Sequence, residues 1–284
     1  MDPGGHLDHD GVEVAEIVEL PPIKSFTSDL VSFAIDTNGR LWSWGDNKSK
    51  EPYLSKPELV DFLAEYRIKQ VAEIAYESVY CLTTEGQVLK LIKGQAPERV
   101  EIGQKVTQLS CGAEHALLLG ADGKNVWTFG CNRGGQLGHN YRSVNKSYTP
   151  IKVPFLGKQK LIKLQCGDYC SAALTGDGEI ILWGSMADLT DPEVSIDSET
   201  CHIPRVIKIE EKFVEISILS DFMLALTDNN RLFALGNNEY GQCGQGETDQ
   251  NYFEEPVEMK NLHNLHIRQI SAGRFHCLIK CTKK

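Results

Sequence analysis

Apolar and polar residues alternate along this chain in short runs separated by glycine- and asparagine-bearing turns, and no long stretch carries helical spacing. Residues 109–138, LSCGAEHALLLGADGKNVWTFGCNRGGQLG, set the pattern. The spacing predicts a strand at 109–111, a bend at Gly112-Ala113-Glu114-His115 and an apolar strand at 116–119. Asp122-Gly123 predicts a tight hairpin turn, where glycine accepts the positive φ at no steric cost. Val126-Trp127-Thr128-Phe129 alternates in the next strand, Gly130 ends it, and a glycine-rich loop follows.

The same phrase recurs. Aligned on the turn residue, copies fall at Gly39, Gly86, Gly123, Gly178 and Asn230. The bend positions upstream of these are Ser28, Ala75, Gly112, Gly167 and Leu219, and Gly273 opens a sixth copy. Short strands at a period near fifty residues predict an all-β chain folded as a single β-propeller of about six repeats. The sixth copy stops before its turn and outer strands, while residues 12–20 alternate loosely. That pairing of ends predicts closure of the propeller by the N-terminal strand on the last blade, because an open ring leaves two bare sheet edges. The propeller is then expected over 12–284, behind a mobile acidic segment at 1–11. Between copies, the apolar run at 59–63 fits one helical turn, and 185–203 and 247–255 are acidic loops.

Cys-Gly-x-x-His, the Asp-Gly turn, Trp-Gly or Phe-Gly and Asn-x-x-Gly-Gln-Leu-Gly together resemble the regulator of chromosome condensation repeat, over about residues 22–280. The likeness is strong around Gly123 and Asn230 and fair around Gly39 and Gly178. It is weak around Gly86, where Lys90-Leu91-Ile92-Lys93 replaces the aromatic-glycine ending.

Composition narrows the function. The chain has 29 basic and 39 acidic residues, a net charge of −10, and residues 1–20 contain no Lys or Arg. Nucleic-acid binders ordinarily carry a basic patch or tail, and the chromatin-binding members that this family implies have a basic N-terminal tail. No direct nucleic-acid binding is therefore expected. No run is long and apolar enough to span a membrane, and no signal peptide opens the sequence. Nine scattered cysteines read as reduced buried thiols. An intracellular monomer, cytoplasmic or nuclear, with neither cofactor nor metal is the expectation.

The candidate site is the set of residues just after each bend. Asp29, Glu77, Glu114, Asp168 and Asp221 supply one carboxylate per copy, and Arg274 takes that place in the sixth. Tyr76, Tyr169 and Phe275 interleave with them. An acidic ring with aromatic anchors is the chemistry of a protein-binding surface. Side-chain to backbone bonding in tight bends also accounts for Asp29 and Asp168, but glutamate is not a favoured turn residue, so Glu77 and Glu114 are left unexplained by it. The resemblance implies more. The family's founding member exchanges nucleotide on the Ran GTPase through this face, with acidic and histidine residues at these bends. By that likeness Glu114 sits where the exchanger places its catalytic acid, there an aspartate, and Asp29 and Asp168 fall on the neighbouring binding slot. His115 and His276 share one slot and are taken as partner-binding with Tyr169, Asp221, Arg274 and Phe275, although their equivalence also suits a structural hydrogen bond. Residues 185–203 are a candidate wedge.

Three classes stay open: a regulator or exchanger of a Ran-like small GTPase, a non-catalytic scaffold holding another protein by its acidic mouth and loops, and a hydrolytic or metal enzyme. The last lacks a catalytic set. Cys166-x-x-x-Cys170 and Cys277-x-x-x-Cys281 lack partners at zinc spacing, and residues 241–246 lack the Lys-Ser/Thr of a phosphate loop.

Overall fold

A computed structural model of the chain describes residues 20–28, 31–45, 54–74, 78–92, 95–140, 142–186, 202–246 and 249–284. It divides into two compact units. The first, Met1–Arg67, holds β1 (Ile23–Ser28), β2 (Val31–Asp36), β3 (Leu41–Gly45) and β4 (Leu54–Leu59), an antiparallel sheet in chain order. One turn of 3-10 helix at Asp61–Leu63 follows, where the short apolar run predicted it. Asp36 organises the hairpin between β2 and β3. It accepts from the Asn38 and Arg40 backbone N–H groups at 2.9 Å each, from Arg40 Nε at 2.6 Å and from Trp42 Nε1 at 3.3 Å. Burial works to raise this carboxyl's pKa, but the four donors outweigh it and hold it below the usual range.

The second unit, Ile68–Lys284, contains four further four-stranded antiparallel sheets and one pair of strands. The four are β5 (Ile68–Ile74) to β8 (Glu98–Val100) through β6 (Ser78–Thr83) and β7 (Val88–Leu91); β9 (Val106–Cys111), β10 (His115–Gly120), β11 (Val126–Cys131) and β12 (Lys146–Lys152); β13 (Leu161–Cys166), β14 (Cys170–Thr175), β15 (Ile180–Gly184) and β16 (Arg205–Ile207); and β17 (Phe213–Leu219), β18 (Phe222–Thr227), β19 (Leu232–Asn237) and β20 (Tyr252–Glu258). The pair is β21 (Leu265–Ala272) with β22 (Cys277–Lys283).

All five turn residues used for the alignment have left-handed φ: Gly39 +77°, Gly86 +86°, Gly123 +66°, Gly178 +87° and Asn230 +63°. The turns also join consecutive sheets. The carbonyls of Gly86, Gly123 and Gly178 accept from Val106, Leu161 and Phe213 N–H at 2.9, 2.7 and 3.0 Å, at the start of the next sheet. Asn230 makes that junction with its side chain instead, accepting from Ile267 N–H and donating to Leu265 O, both at 2.8 Å. Asparagine is the residue that tolerates this φ and still brings a donor and an acceptor.

Core residues interdigitate between neighbouring sheets. Leu117 and Leu119 of β10 pack with Leu164, Ala173 and Trp183 of the following sheet, and Leu224 and Ala234 pack with Ile267 and Ile270. Gln108 bridges two first strands, accepting from Leu164 N–H at 2.9 Å and donating to its carbonyl at 2.8 Å.

The Asn-x-x-Gly-Gln loop is a structural device. Buried Asn132 accepts from Leu137 N–H at 2.8 Å and donates to His139 O at 2.8 Å and Val144 O at 2.6 Å. Asn238 repeats it, accepting from Cys243 N–H at 3.0 Å and donating to Gln250 O at 2.9 Å. Asn132→Ala strands the buried Leu137 N–H and two partly buried carbonyls, so we expect it to cost about 2–3 kcal/mol in chemical denaturation, against a few tenths for the exposed Asn140→Ala.

One difference from the sequence alignment concerns Leu219. It is the last residue of β17, and the bend there is the two-residue turn Ser220-Asp221, with Ser220 at φ +54°. Ser28 is likewise the last residue of β1, whereas the bends at 112–114 and 167–169 take three residues and that at 273–276 takes four. The expected closing strand at 12–20 lies outside the described residues apart from Leu20, and so does most of the acidic loop at 185–203.

Candidate functional site

The bends at 112–114, 167–169 and 220–221, between the first and second strands of three consecutive sheets, converge. A Cβ added to Gly112 would lie 2.0 Å from the Gly167 carbonyl oxygen, and one added to Gly167 would lie 2.2 Å from that of Ser220. Successive bends therefore touch backbone to backbone at one end of their sheets. Asp168 N–H donates to Ser220 O at 3.1 Å, and the Ser220 hydroxyl donates to Asp168 Oδ2 at 2.9 Å.

A repeated junction holds the last residue of each bend. The carbonyls of Glu114, Tyr169 and Asp221 lie over Gly130, Gly184 and Gly236, and accept from the next N–H, of Cys131, Ser185 and Asn237, at 2.8, 2.9 and 2.9 Å. These glycines are the Phe-Gly, Trp-Gly and Leu-Gly positions of the sequence pattern, all with positive φ. They are required because a neighbouring backbone occupies the place of a Cβ.

Three of the five predicted carboxylates are among the described residues. Glu114, Asp168 and Asp221 are each partly exposed on these bends. Asp221 accepts from Asn237 Nδ2 at 3.0 Å, and Glu114 lies beside the Cys131 thiol. Asp29 and Glu77 lie outside the described residues. Tyr169 is half-buried next to Asp168.

His115 corrects the sequence expectation of a partner contact. Its side chain is fully buried, with Nε2 2.9 Å from Ser171 Oγ in the next sheet. Ser171 Oγ in turn donates to Gln136 O at 2.9 Å, and Trp183 Nε1 donates to the same carbonyl at 2.9 Å. The Ser171 hydrogen is thus committed, so Nε2 carries the proton shared with Ser171. Burial pushes the imidazole pKa down to about 3, a shift the Cys170 backbone offsets only in part. His115 is a strut beneath Glu114, not a surface group. His276 has the same relation to Gly273 that His115 has to Gly112, but it is exposed.

Beside it, Phe275 is 53% exposed and packs edge-on against Tyr240, with ring centroids 4.9 Å apart, and Arg274 lies over the Phe275 ring at 5.4 Å. Sequence reasoning found Arg274 and Phe275 but missed Tyr240, which is 62% exposed. Its signal was its place in the second Asn-x-x-Gly-Gln loop, one residue before Gly241.

Burial raises the thiol pKa values of Cys166 and Cys170, Cys170 to about 12, so neither is a ready nucleophile. Among the described residues no group of three or more His, Cys, Asp or Glu is placed to hold a metal, no helix is long and apolar enough to cross a membrane, and the cysteines are free.

Residues 124–174 and 229–279 match the family described as "Regulator of chromosome condensation (RCC1) repeat", and 106–136 match a second description of that repeat. The chain carries repeats of the regulator of chromosome condensation family. The matched RCC1 repeats hold the Glu114 bend, the Gly130 junction, both Asn-x-x-Gly-Gln loops and Phe275. Proteins named "Regulator of chromosome condensation" from Mus musculus and Homo sapiens are 30% identical over 161 residues, covering 55% of this chain and 36% of theirs. The chain thus spans about a third of the length of these curated relatives. The human E3 ubiquitin-protein ligase HERC2 is 26% identical over 278 residues, 88% of this chain and 6% of that protein. Among solved structures, Saccharomyces cerevisiae Prp20p aligns with a TM-score of 0.73 at 20% identity, covering 90% of this chain and 69% of Prp20p. Human WBSCR16 aligns at 0.70 and 20%, covering 89% of this chain and 70% of that one. The all-β propeller fold read from the RCC1 repeats is therefore shared with these structures.

Proposed function

We propose that this chain binds a Ran-like small GTPase with the bend end of its RCC1 repeats and promotes release of the bound nucleotide. The observation that carries the reading is the arrangement there: partly exposed Glu114, Asp168 and Asp221 on bends locked backbone to backbone, with the exposed Arg274–Phe275–Tyr240 group at the neighbouring bend. The aromatic pair supplies desolvated anchors, and the carboxylates supply charge complementarity to a basic phosphate-binding loop. The 30% identity to the mouse and human regulators supports the choice of partner.

The mechanism needs no covalent step. The Glu114 carboxylate competes with phosphate for the lysine and backbone amides of the GTPase loop, so the chain binds the nucleotide-free state more tightly and shifts the population toward it. Gly130 and buried His115 hold the Glu114 backbone, so little ordering is left to be done on binding. No direct nucleic-acid contact is part of the reading, in keeping with the net charge of −10.

Fluorescent nucleotide release from Ran and a panel of other small GTPases, with wild type and Glu114→Ala side by side, tests it. Accelerated release that Glu114→Ala reduces about 30-fold, a hot-spot-sized loss of roughly 2 kcal/mol, is the expected result. No acceleration with any GTPase sinks the exchange reading. Binding without release turns the chain into a scaffold.

A further inference from the structure

A second feature at the bend end has the opposite charge. Between the β5–β8 sheet and the β9–β12 sheet lies a cavity of about 410 Å³, within the range of pockets that hold ligands. Buried Tyr80 and Phe129, with ring centroids 5.0 Å apart, line it along with Lys90, Arg133, Lys146 and a single carboxylate, Glu114. Among the described residues none of the three cations makes an ion pair. Lys146 instead lies 4.8 Å from the ring centroid of Tyr148, which is 83% exposed. Glu98 faces Lys90 across the β7–β8 ladder, so three cations meet two carboxylates, which still leaves an electropositive, aromatic-lined hollow in a chain whose net charge is −10.

We propose that this cavity docks an acidic peptide segment of a partner protein, with one apolar side chain entering against Tyr80 and Phe129 and flanking carboxylates meeting Lys90, Arg133 and Lys146. Charge complementarity selects the occupant. Cations beside an aromatic surface gain most from carboxylates that arrive with an apolar anchor, because burying the anchor shields the ion pairs from water. A nucleic acid fits less well. Its backbone charge extends past the cavity into the field of an acidic protein, whereas a short segment carries its charge within about one Debye length, roughly 8 Å, of the three cations. The inference goes beyond the exchange reading and does not depend on it, since it holds whichever protein the bends engage.

The test uses the full chain and a fluorescein-labelled pentapeptide, Glu-Asp-Phe-Asp-Glu, followed by fluorescence anisotropy with no GTPase present. The expected result is saturable binding that weakens at least about 10-fold when the central Phe is replaced by Ser. Comparable weakening is expected in the Lys90→Glu/Arg133→Glu double variant, where thermal melting confirms that the fold is kept. Raising salt from 50 to 500 mM is expected to weaken it as well. Absence of binding up to millimolar protein overturns the proposal, as does equal affinity for the Ser peptide. Complete competition by millimolar inorganic phosphate reduces the cavity to a general anion site, and tighter binding of a labelled single-stranded oligonucleotide assigns it to nucleic acid. Either result also overturns the proposal.

Discussion

A Gly130→Ala variant melts roughly 10 °C below the wild type, while Gly241→Ala melts within a few degrees of it. Both glycines have positive φ, +109° and +76°. They differ in what a methyl group meets. At Gly241 nothing lies within 4 Å of the new Cβ. At Gly130 the Cβ would lie 2.2 Å from Glu114 O and 2.7 Å from His115 Cα, both backbone atoms with no rotamer by which to retreat. The backbone strain costs about 1–3 kcal/mol at either site, and the overlap adds about 1–3 kcal/mol at Gly130 alone. At about 2–4 °C per kcal/mol for a unit of this size, the sum gives the stated shift. Differential scanning calorimetry of the two variants decides it, and equal melting temperatures would show that the Glu114 backbone yields freely. Because that backbone is what moves, Gly130→Ala is also expected to impair the proposed Glu114-dependent nucleotide release under conditions where the variant remains folded.

Between pH 7 and 5 the protein loses about 2 kcal/mol of stability through His115 alone. The folded imidazole has a pKa of about 3 because burial opposes its charged form, whereas in the unfolded chain it titrates near 6.5. The unfolded state therefore takes up the proton first. The contribution is complete above about pH 6.5 and is lost progressively as pH falls toward 3. The second proton would sit on Nδ1, which has no hydrogen-bond partner, while Nε2 is already committed to Ser171. Groups with depressed carboxyl pKa values, such as Glu258, held at about 2 chiefly by the Arg231 hydrogen bonds, lose their contribution only below roughly pH 4.3 and do not contaminate the window. Chemical denaturation at pH 7, 6 and 5 is expected to show the slope in the wild type. His115→Asn, less stable at pH 7, should be nearly flat, and an unchanged slope in that variant would remove His115 as the cause.

The alignment on turns was legible because each turn is encoded within a few residues. Gly39, Gly86, Gly123, Gly178 and Asn230 all proved left-handed, and the apolar alternation between them became the strands. The weak copy around Gly86 still forms a four-stranded sheet without an aromatic-glycine ending, because the consecutive apolar pair Val88-Leu89 buries both faces of that strand at its start. The carboxylates on the described bends were legible for the same reason, as Glu114, Asp168 and Asp221 each follow a strand end by two or three positions.

What the order of residues could not reveal lies between copies. His115 and His276 occupy one slot with the same approach to a glycine, yet one is buried against Ser171 and the other is exposed. Tyr240 meets Phe275, and Lys90, Arg133 and Lys146 share a cavity, across long separations in sequence. Taken alone, the sequence determined the repeat, the strands, the turn conformations and which residues sit on the bends, since all of these follow from local pattern and backbone sterics. Only the tertiary structure decided which bend side chains face solvent, which brace the next sheet and where unpaired charge collects, because those depend on the packing of residues about fifty positions apart.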